Sequence, residues 1–234
     1  MISIVDERIS EKMKRRLQFF STVIALPRSS DLGEAVCSHP DILMLAHENR
    51  IITSADYCEK FPWVFSDIRE YSSCEFTVTS DKFGKRYPTD AIFNALIINN
   101  YIFYKEDSVA SAVKEYAKVK GLTPISVNQG YPACTTLAFK NSAITADRGM
   151  AKALSSVGIK VTLIGNGDIL LPPHEYGFIG GASGVYKDVV YFLGDITRHR
   201  DFALIEKAIK DEGLSYVSLS DEPLCDLGRI LFID

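Results

Sequence analysis

The stretch His39-Pro-Asp-Ile-Leu-Met-Leu-Ala-His-Glu-Asn-Arg-Ile-Ile-Thr53 lies without gaps on Tyr131-Pro-Ala-Cys-Thr-Thr-Leu-Ala-Phe-Lys-Asn-Ser-Ala-Ile-Thr145. Pro, Leu, Ala, Asn, Ile and Thr recur in register. Another copy, second in chain order, opens at Tyr87-Pro88-Thr89-Asp90, a weaker one at Tyr176-Gly177-Phe178-Ile179, and the weakest at Glu222-Pro223-Leu224-Cys225. Marking the copies by Pro40, Pro88, Pro132, Gly177 and Pro223 gives spacings of 48, 44, 45 and 46 residues. Self-similarity at such a period is the mark of one supersecondary unit used repeatedly.

Each copy carries the same internal order: an apolar strand, a polar turn, a second strand, a helix and a third strand. In the second copy the segments are Ala91 to Ile98, Tyr101 to Tyr104, a helix from about Ser108 to Lys120 stopped by Gly121, and Pro124 to Val127. In the third, Asp147 is placed to cap a helix over Arg148 to Val157, with Gly158 closing it before the strand Ile159 to Ile164. The fourth repeats this with Asp201, a helix to Glu212, Gly213 and Tyr216 to Leu219.

The fifth copy has only Leu224 to Asp234 after its marker, whereas the first 38 residues hold a strand, Ile2 to Val5, an amphipathic helix, Glu7 to Phe19, and a strand, Ser21 to Leu26. The two ends together complete a fifth unit. Closing an array with its own N-terminus pairs edges that would otherwise stay free, so a closed ring is expected over a solenoid. No linker interrupts the pattern, and residues 1–234 are expected to form one α/β domain.

Composition narrows the function. With 47% hydrophobic and 24% charged residues the 234-residue chain is ordinary globular material. A net charge of −4 and a pI near 5.6 supply no basic field for a phosphate backbone, so no nucleic-acid partner is expected. The five cysteines, Cys37, Cys58, Cys74, Cys134 and Cys225, include no CxxC pair and are read as reduced thiols. Leu17 to Leu26 is too short and polar for a membrane span, and Pro27-Arg28-Ser29-Ser30 after it is no signal-peptide cleavage site. The expected setting is the cytoplasm, with no membrane partner.

Five strand-strand-helix-strand units, the fifth split between the ends, resemble the pentein superfamily, the fold of arginine deiminases, dimethylarginine hydrolases, agmatine deiminases and amidinotransferases. The His39 to Thr53 segment is similar to the first repeat of dimethylarginine hydrolases. The resemblance implies a five-bladed α/β propeller, and a hydrolase or transferase that attacks a guanidine- or amidine-type small molecule through a cysteine. It implies a nucleophile near the C-terminus, where Cys225 stands, and a second-repeat carboxylate, Asp90, that grips the cation. The resemblance also implies a histidine in the segment Tyr176-Gly-Phe-Ile-Gly-Gly-Ala-Ser-Gly184, which has none. The same fold occurs in a non-catalytic ribosome factor, so the alternative is a small-molecule-binding or protein-assembly module.

Two residues past each marker stand Ile42, Asp90, Cys134, Ile179 and Cys225, and just before each stand His39, Tyr87, Tyr131, Tyr176 and Glu222. In a pseudo-fivefold ring these form two circles at one end of a central channel, a mouth for a cationic small molecule. Cys225 and Cys134 are the candidate nucleophiles, and His39 or His174 the candidate base. Asp90, Asp41, Tyr131, Tyr176, Gly180 and Asp226 are the candidate substrate-binding residues, with Asp226 able to replace Cys225 in its circle. Buried cysteine as a small hydrophobe, and Asp90 as a strand-entry carboxylate, are the plain alternatives. The spacing Gly177, Gly180, Gly181, Gly184 is not a dinucleotide loop. Zinc on Cys134, Cys225 and Asp90 fits by ligand type but matches no known spacing, and no metal or other cofactor is expected.

Overall fold

In the computed structural model, which describes residues 1–234, the opening segment folds as a helical turn, Pro40–Leu43, running into the strand Met44–His47, a tight turn and the strand Arg50–Ser54. Pro40 stands in the first helical turn, where a missing N–H costs nothing. The matching segment gives Pro132–Thr135, Thr136–Phe139 and Ser142–Thr145. Both turns pass through a left-handed residue, Glu48 (φ 52°) and Lys140 (φ 47°). In both, the closing threonine donates its hydroxyl proton to the carbonyl ending the helical turn: Thr53 to Leu43 and Thr145 to Thr135, each at 2.9 Å.

Five three-stranded sheets follow one pattern, in which the first strand runs antiparallel to the middle one and the middle one parallel to the third. The first sheet is Met44–His47, Arg50–Ser54 and Glu75–Thr79. The second is Leu96–Ile98, Tyr101–Tyr104 and Thr123–Ser126. The third is Thr136–Phe139, Ser142–Thr145 and Lys160–Leu163. The fourth is Ser183–Tyr186, Val189–Phe192 and Ser215–Ser218. The terminal sheet takes Leu231–Ile233 from one end of the chain and Ile2–Asp6 and Thr22–Leu26 from the other. A short parallel pairing of Ile169–Leu170 with Leu224–Cys225 lies outside these five.

Parallel neighbours need a crossover, and helices supply it. Glu11–Gln18, Pro62–Tyr71, Ser111–Lys120, Arg148–Ser156 and Phe202–Asp211 each carry the chain from a middle strand to a third strand. The Ser10 hydroxyl and the Asp147 carboxylate accept from the N–H groups of Met13 and Met150, and Gly121 ends its helix at φ 67°. Asp201 caps no helix; its carboxylate instead takes the N–H of Gly165 at 2.7 Å. The core lies between helices and sheets, with Ile2, Ile42, Leu43, Met44, Ile51 and Tyr57 fully enclosed, each aliphatic side chain contributing about 1.5–3 kcal/mol. No helix is long and apolar enough to cross a membrane.

The register of two units departs from the sequence expectation. The left-handed turn residues Asn99 and Lys187 stand 41 residues before and 47 after Lys140, which makes Ala91 and Ile179, not Pro88 and Gly177, the counterparts of Pro132. Loops before the strands differ in length, and the proline-anchored alignment absorbed that difference in the wrong place. Phe93 and Gly181 therefore correspond to Cys134, and Asp90 and Ile179 do not.

The segment leading into the last strand is laced to its neighbours. The N–H groups of Leu227 and Arg229 both donate to the Gly181 carbonyl, at 3.1 and 2.9 Å, and the Asp41 N–H donates to the Gly228 carbonyl at 3.1 Å. Gly228 has φ 70°, and a Cβ there would lie 2.2 Å from that of His39. Gly228→Ala should cost about 2–4 kcal/mol of folding stability, combining left-handed strain with a steric clash. Gly121→Ala, with φ 67° but open space around it, should cost about 1 kcal/mol. Urea denaturation of both variants checks this, and equal losses would show that the His39 contact carries nothing.

Candidate functional site

His39 and Asp41 flank Pro40 at the start of the first unit, and Cys134 sits in the matching helical turn of the third. The Cys134 thiol donates to Asp41 Oδ2 at 2.8 Å. Asn94 Nδ2 donates to Cys134 Sγ at 3.3 Å and to the Asp41 carbonyl at 3.2 Å, while its Oδ1 accepts the Ala133 N–H at 2.8 Å. A nitrogen of His39, an oxygen of Asp41 and the sulfur of Cys134 all lie within 4.8 Å of one another, a span that one water bridges. Behind the ring, His39 Nε2 faces Asp6 Oδ2 at 3.8 Å. Asp6 is fully buried and held by Arg8 and by the Ser38 hydroxyl.

His39, Cys134 and Asp226 form the floor of a cavity of about 370 Å³ walled by Tyr87, Tyr131, Tyr176 and Phe178. The rings of Tyr87 and Tyr131 lie 5.2 Å apart. The Asp226 carboxylate accepts N–H bonds from Phe178 at 2.9 Å and Gly228 at 3.1 Å. Asp41 and Arg229 face a second cavity of about 160 Å³, bounded by the first strands of the first, second, fourth and terminal sheets. The Asp41–Cys134 contact separates the two.

Burial dominates the electrostatics. It pushes Asp41 up to about 6, with the Cys134 thiol, Arg229 and Asn94 pulling the other way. It pushes Asp226 up to about 7, helped by repulsion from Asp41. Burial, followed by the Asp41 and Asp226 carboxylates, drives the Cys134 thiol well above its ordinary range. Burial lowers His39 to about 3, against the pull of Asp6 and of the nearby Asp226 backbone, which lies close without the alignment of a hydrogen bond. Both His39 ring nitrogens and Asp41 Oδ1 lack partners, although a buried unpaired polar group costs about 1–3 kcal/mol.

The structure brings together His39, Cys134 and Asp226 on the floor, Asp41 bonded behind Cys134, and Tyr131 and Tyr176 on the wall. His174 stands exposed at the rim. Asp90 is buried beside the site, its Oδ2 taken by the Tyr131 hydroxyl at 2.7 Å, and burial raises its pKa. Cys225 points away from the cavity, among residues packed on the Glu11–Gln18 helix, and burial lifts its thiol to about 11. Alternation along an extended chain sends neighbouring side chains to opposite sides, so Asp226 takes the place expected of Cys225. Gly180 lines no part of this cavity; a Cβ on it would meet the Ala133 carbonyl oxygen at 2.2 Å. At Gly181 a Cβ would lie 1.9 Å from Asp226 Oδ1, so the carboxylate occupies the space a side chain from this segment would need. Sequence reasoning missed Asn94, Arg229 and Asp6, whose roles depend on contacts far apart in the chain.

A family model matches residues 4–231. The chain belongs to DUF6873, a family of unknown function. No curated protein matches the sequence. Among solved structures, the DUF6873 chain is similar to a cysteine-to-serine mutant of the Pseudomonas aeruginosa dimethylarginine hydrolase DDAH complexed with citrulline. The two share 10% identity at a TM-score of 0.58, over 94% of this chain and 92% of that one. It is also similar to the amidinotransferase SxtG of the saxitoxin pathway of Microseira wollei, with 13% identity, TM-score 0.53, and 94% and 88% coverage. The product-bound N-terminal domain of ArgZ, an arginine dihydrolase from cyanobacteria, aligns with 12% identity, TM-score 0.55, and 95% and 90% coverage. These are pentein proteins, and this DUF6873 chain shares their mixed α/β fold of many small sheets.

The shifted carboxyl gives a pH signature. Asp226 binds its proton more tightly folded than unfolded, so its contribution to stability is complete below the ordinary carboxyl range and is lost as pH rises through about 7. His39 acts in the opposite sense, its contribution being lost as pH falls from the ordinary imidazole range toward 3. In Asp226→Asn, the stability of wild type relative to the variant should fall by a few kcal/mol between about pH 4 and about pH 8. Urea midpoints across that range measure it, and a difference independent of pH would mean that Asp226 titrates alike in the folded and unfolded chain.

Proposed function

We propose that this DUF6873 chain is a cysteine-dependent hydrolase or transferase acting on a guanidine- or amidine-type cation, with Cys134 as nucleophile. The observation that carries this reading is the Cys134 thiol donating to Asp41 at 2.8 Å on the floor of a tyrosine-walled cavity with Asp226 beside it. In this reading the five sheets are blades of one domain around a central channel, with the first strands innermost. Their common pairing pattern supports that arrangement.

The tyrosine faces and the Asp226 carboxylate suit a small delocalised cation. Burial and two carboxylates keep the sulfur protonated at rest. A bound cation supplies the opposite field, lowering the cost of moving the Sγ proton to Asp41. The thiolate then attacks the amidino carbon, a C–S bond forms, and the leaving amine departs with a proton. Water or an acceptor amine breaks the C–S bond and restores the thiol. His39, one water from the sulfur, is placed to relay protons, and Asp90 holds the Tyr131 wall.

The high resting pKa of Cys134 favours a second reading, a pentein that binds a small cation without turning it over. Chloroacetamidine and neutral chloroacetamide, read by peptide mass spectrometry in the presence of a chelator, separate the two. Under the enzyme reading the cationic reagent should alkylate Cys134 at least ~10-fold faster and saturably, and Asp226→Asn should erase most of that preference. Equal slow labelling by both reagents would remove thiol chemistry and leave cation binding, read by protection against denaturation, as the function.

A further inference from the structure

His39 and Cys134 on the floor of the cavity, with Asp41 bonded behind Cys134, bring together an imidazole, a thiol and a carboxylate, with one donor atom of each within 4.8 Å of the others. His39, Asp41 and Cys134 are respectively 0%, 4% and 3% exposed. Both ring nitrogens of His39 and Oδ1 of Asp41 are buried with no hydrogen-bond partner. Buried polar atoms are normally paired, and residues that keep unpaired atoms while bringing a nitrogen, an oxygen and a sulfur this close together ask for a ligand. We propose that His39, Asp41 and Cys134 form a site for one divalent metal ion of zinc-like preference, with a fourth position open to the tyrosine-walled cavity.

The geometry needs little adjustment. Bonds of about 2.0–2.3 Å in a tetrahedral site set ligand atoms roughly 3.3–3.8 Å apart. The Cys134–Asp41 pair at 2.8 Å opens, and the widest pair, within 4.8 Å, closes, each by about 1 Å. Three protein ligands and one open position is the arrangement of reactive zinc sites. The supports around the ligands are also present. Asp6, fixed by Arg8 and Ser38, stands behind the imidazole, and Asn94 donates an N–H to the sulfur.

Binding breaks the Cys134 S–H bond as the metal–sulfur bond forms, and the proton leaves to solvent. One thiolate and one carboxylate then balance the two positive charges, and the imidazole binds neutral. The inference goes beyond the thiol reading and excludes it while the ion is in place, because a metal-bound sulfur is not free to attack carbon.

The test uses the full chain, freed of metal by chelator and dialysis, with no amidine present, so that it succeeds or fails independently of the alkylation experiment. Cobalt(II) titration followed by absorption should show one ion per chain, tetrahedral visible bands and a sulfur-to-cobalt charge-transfer band. Zinc calorimetry in buffers of different ionisation enthalpy should show about one proton released per ion. Cys134→Ser should abolish the charge-transfer band, and His39→Ala should weaken zinc binding at least ~10-fold. Absence of stoichiometric binding, or a charge-transfer band that survives Cys134→Ser, overturns the proposal. Should those variants fail to fold, replacing each of the other four cysteines by serine decides the matter. The band must persist in every one, and its loss in any places the sulfur elsewhere.

Discussion

The pairing of Leu231–Ile233 with Ile2–Asp6 is the constraint on which the site depends. It joins the two ends of the chain in one sheet and fixes the approach of Asp226 to Arg229 toward the first unit. From there the Gly228 carbonyl takes the Asp41 N–H, Gly228 leaves room for His39, and Asp226 fills the space over Gly181. The same sheet brings in Asp6, which ends its middle strand and stands behind the His39 ring. A slip of one residue in this ladder would turn the side chains of Leu231–Ile233 to the opposite face and pull this approach out of place.

The polar cluster so assembled is expensive to keep. Asp41 and Asp226 share an enclosed space with Arg229, and three neighbouring polar atoms of His39 and Asp41 go unpaired. A core built for stability alone would fill this volume with aliphatic side chains, since buried charges seldom improve on well-packed hydrocarbon. Retaining carboxylates, a thiol and an imidazole at one point is the pattern of a site where chemistry or binding offsets the loss.

Much of the fold was legible because its signals are local. The helices over 111–120 and 148–156 follow from periodicity and from Gly121 and Asp147, and the paired turns at Glu48 and Lys140 follow from a gapless alignment. His39 and Cys134 were legible for the same reason, sitting at fixed offsets from Pro40 and Pro132. Asp90 was misplaced because loop length is invisible to a proline-anchored alignment. Cys225 was misplaced because the side to which a residue points depends on a two-residue strand, Leu224–Cys225, too short to show alternation. Asn94 touches Asp41 and Cys134 across 53 and 40 residues of chain, a relation that no local spacing encodes.

With Ile2 opposite Ile233 in an antiparallel ladder, the two chain ends lie side by side as the arms of a hairpin whose connecting turn was never made. A short turn placed between Asp234 and Met1 would close the backbone into a loop and leave every sheet with the same connectivity. A circular permutant opened at the exposed turn after Gly121 would keep every strand pairing described above while placing His39 and Asp226 about 50 residues apart in one continuous stretch, in place of near opposite ends.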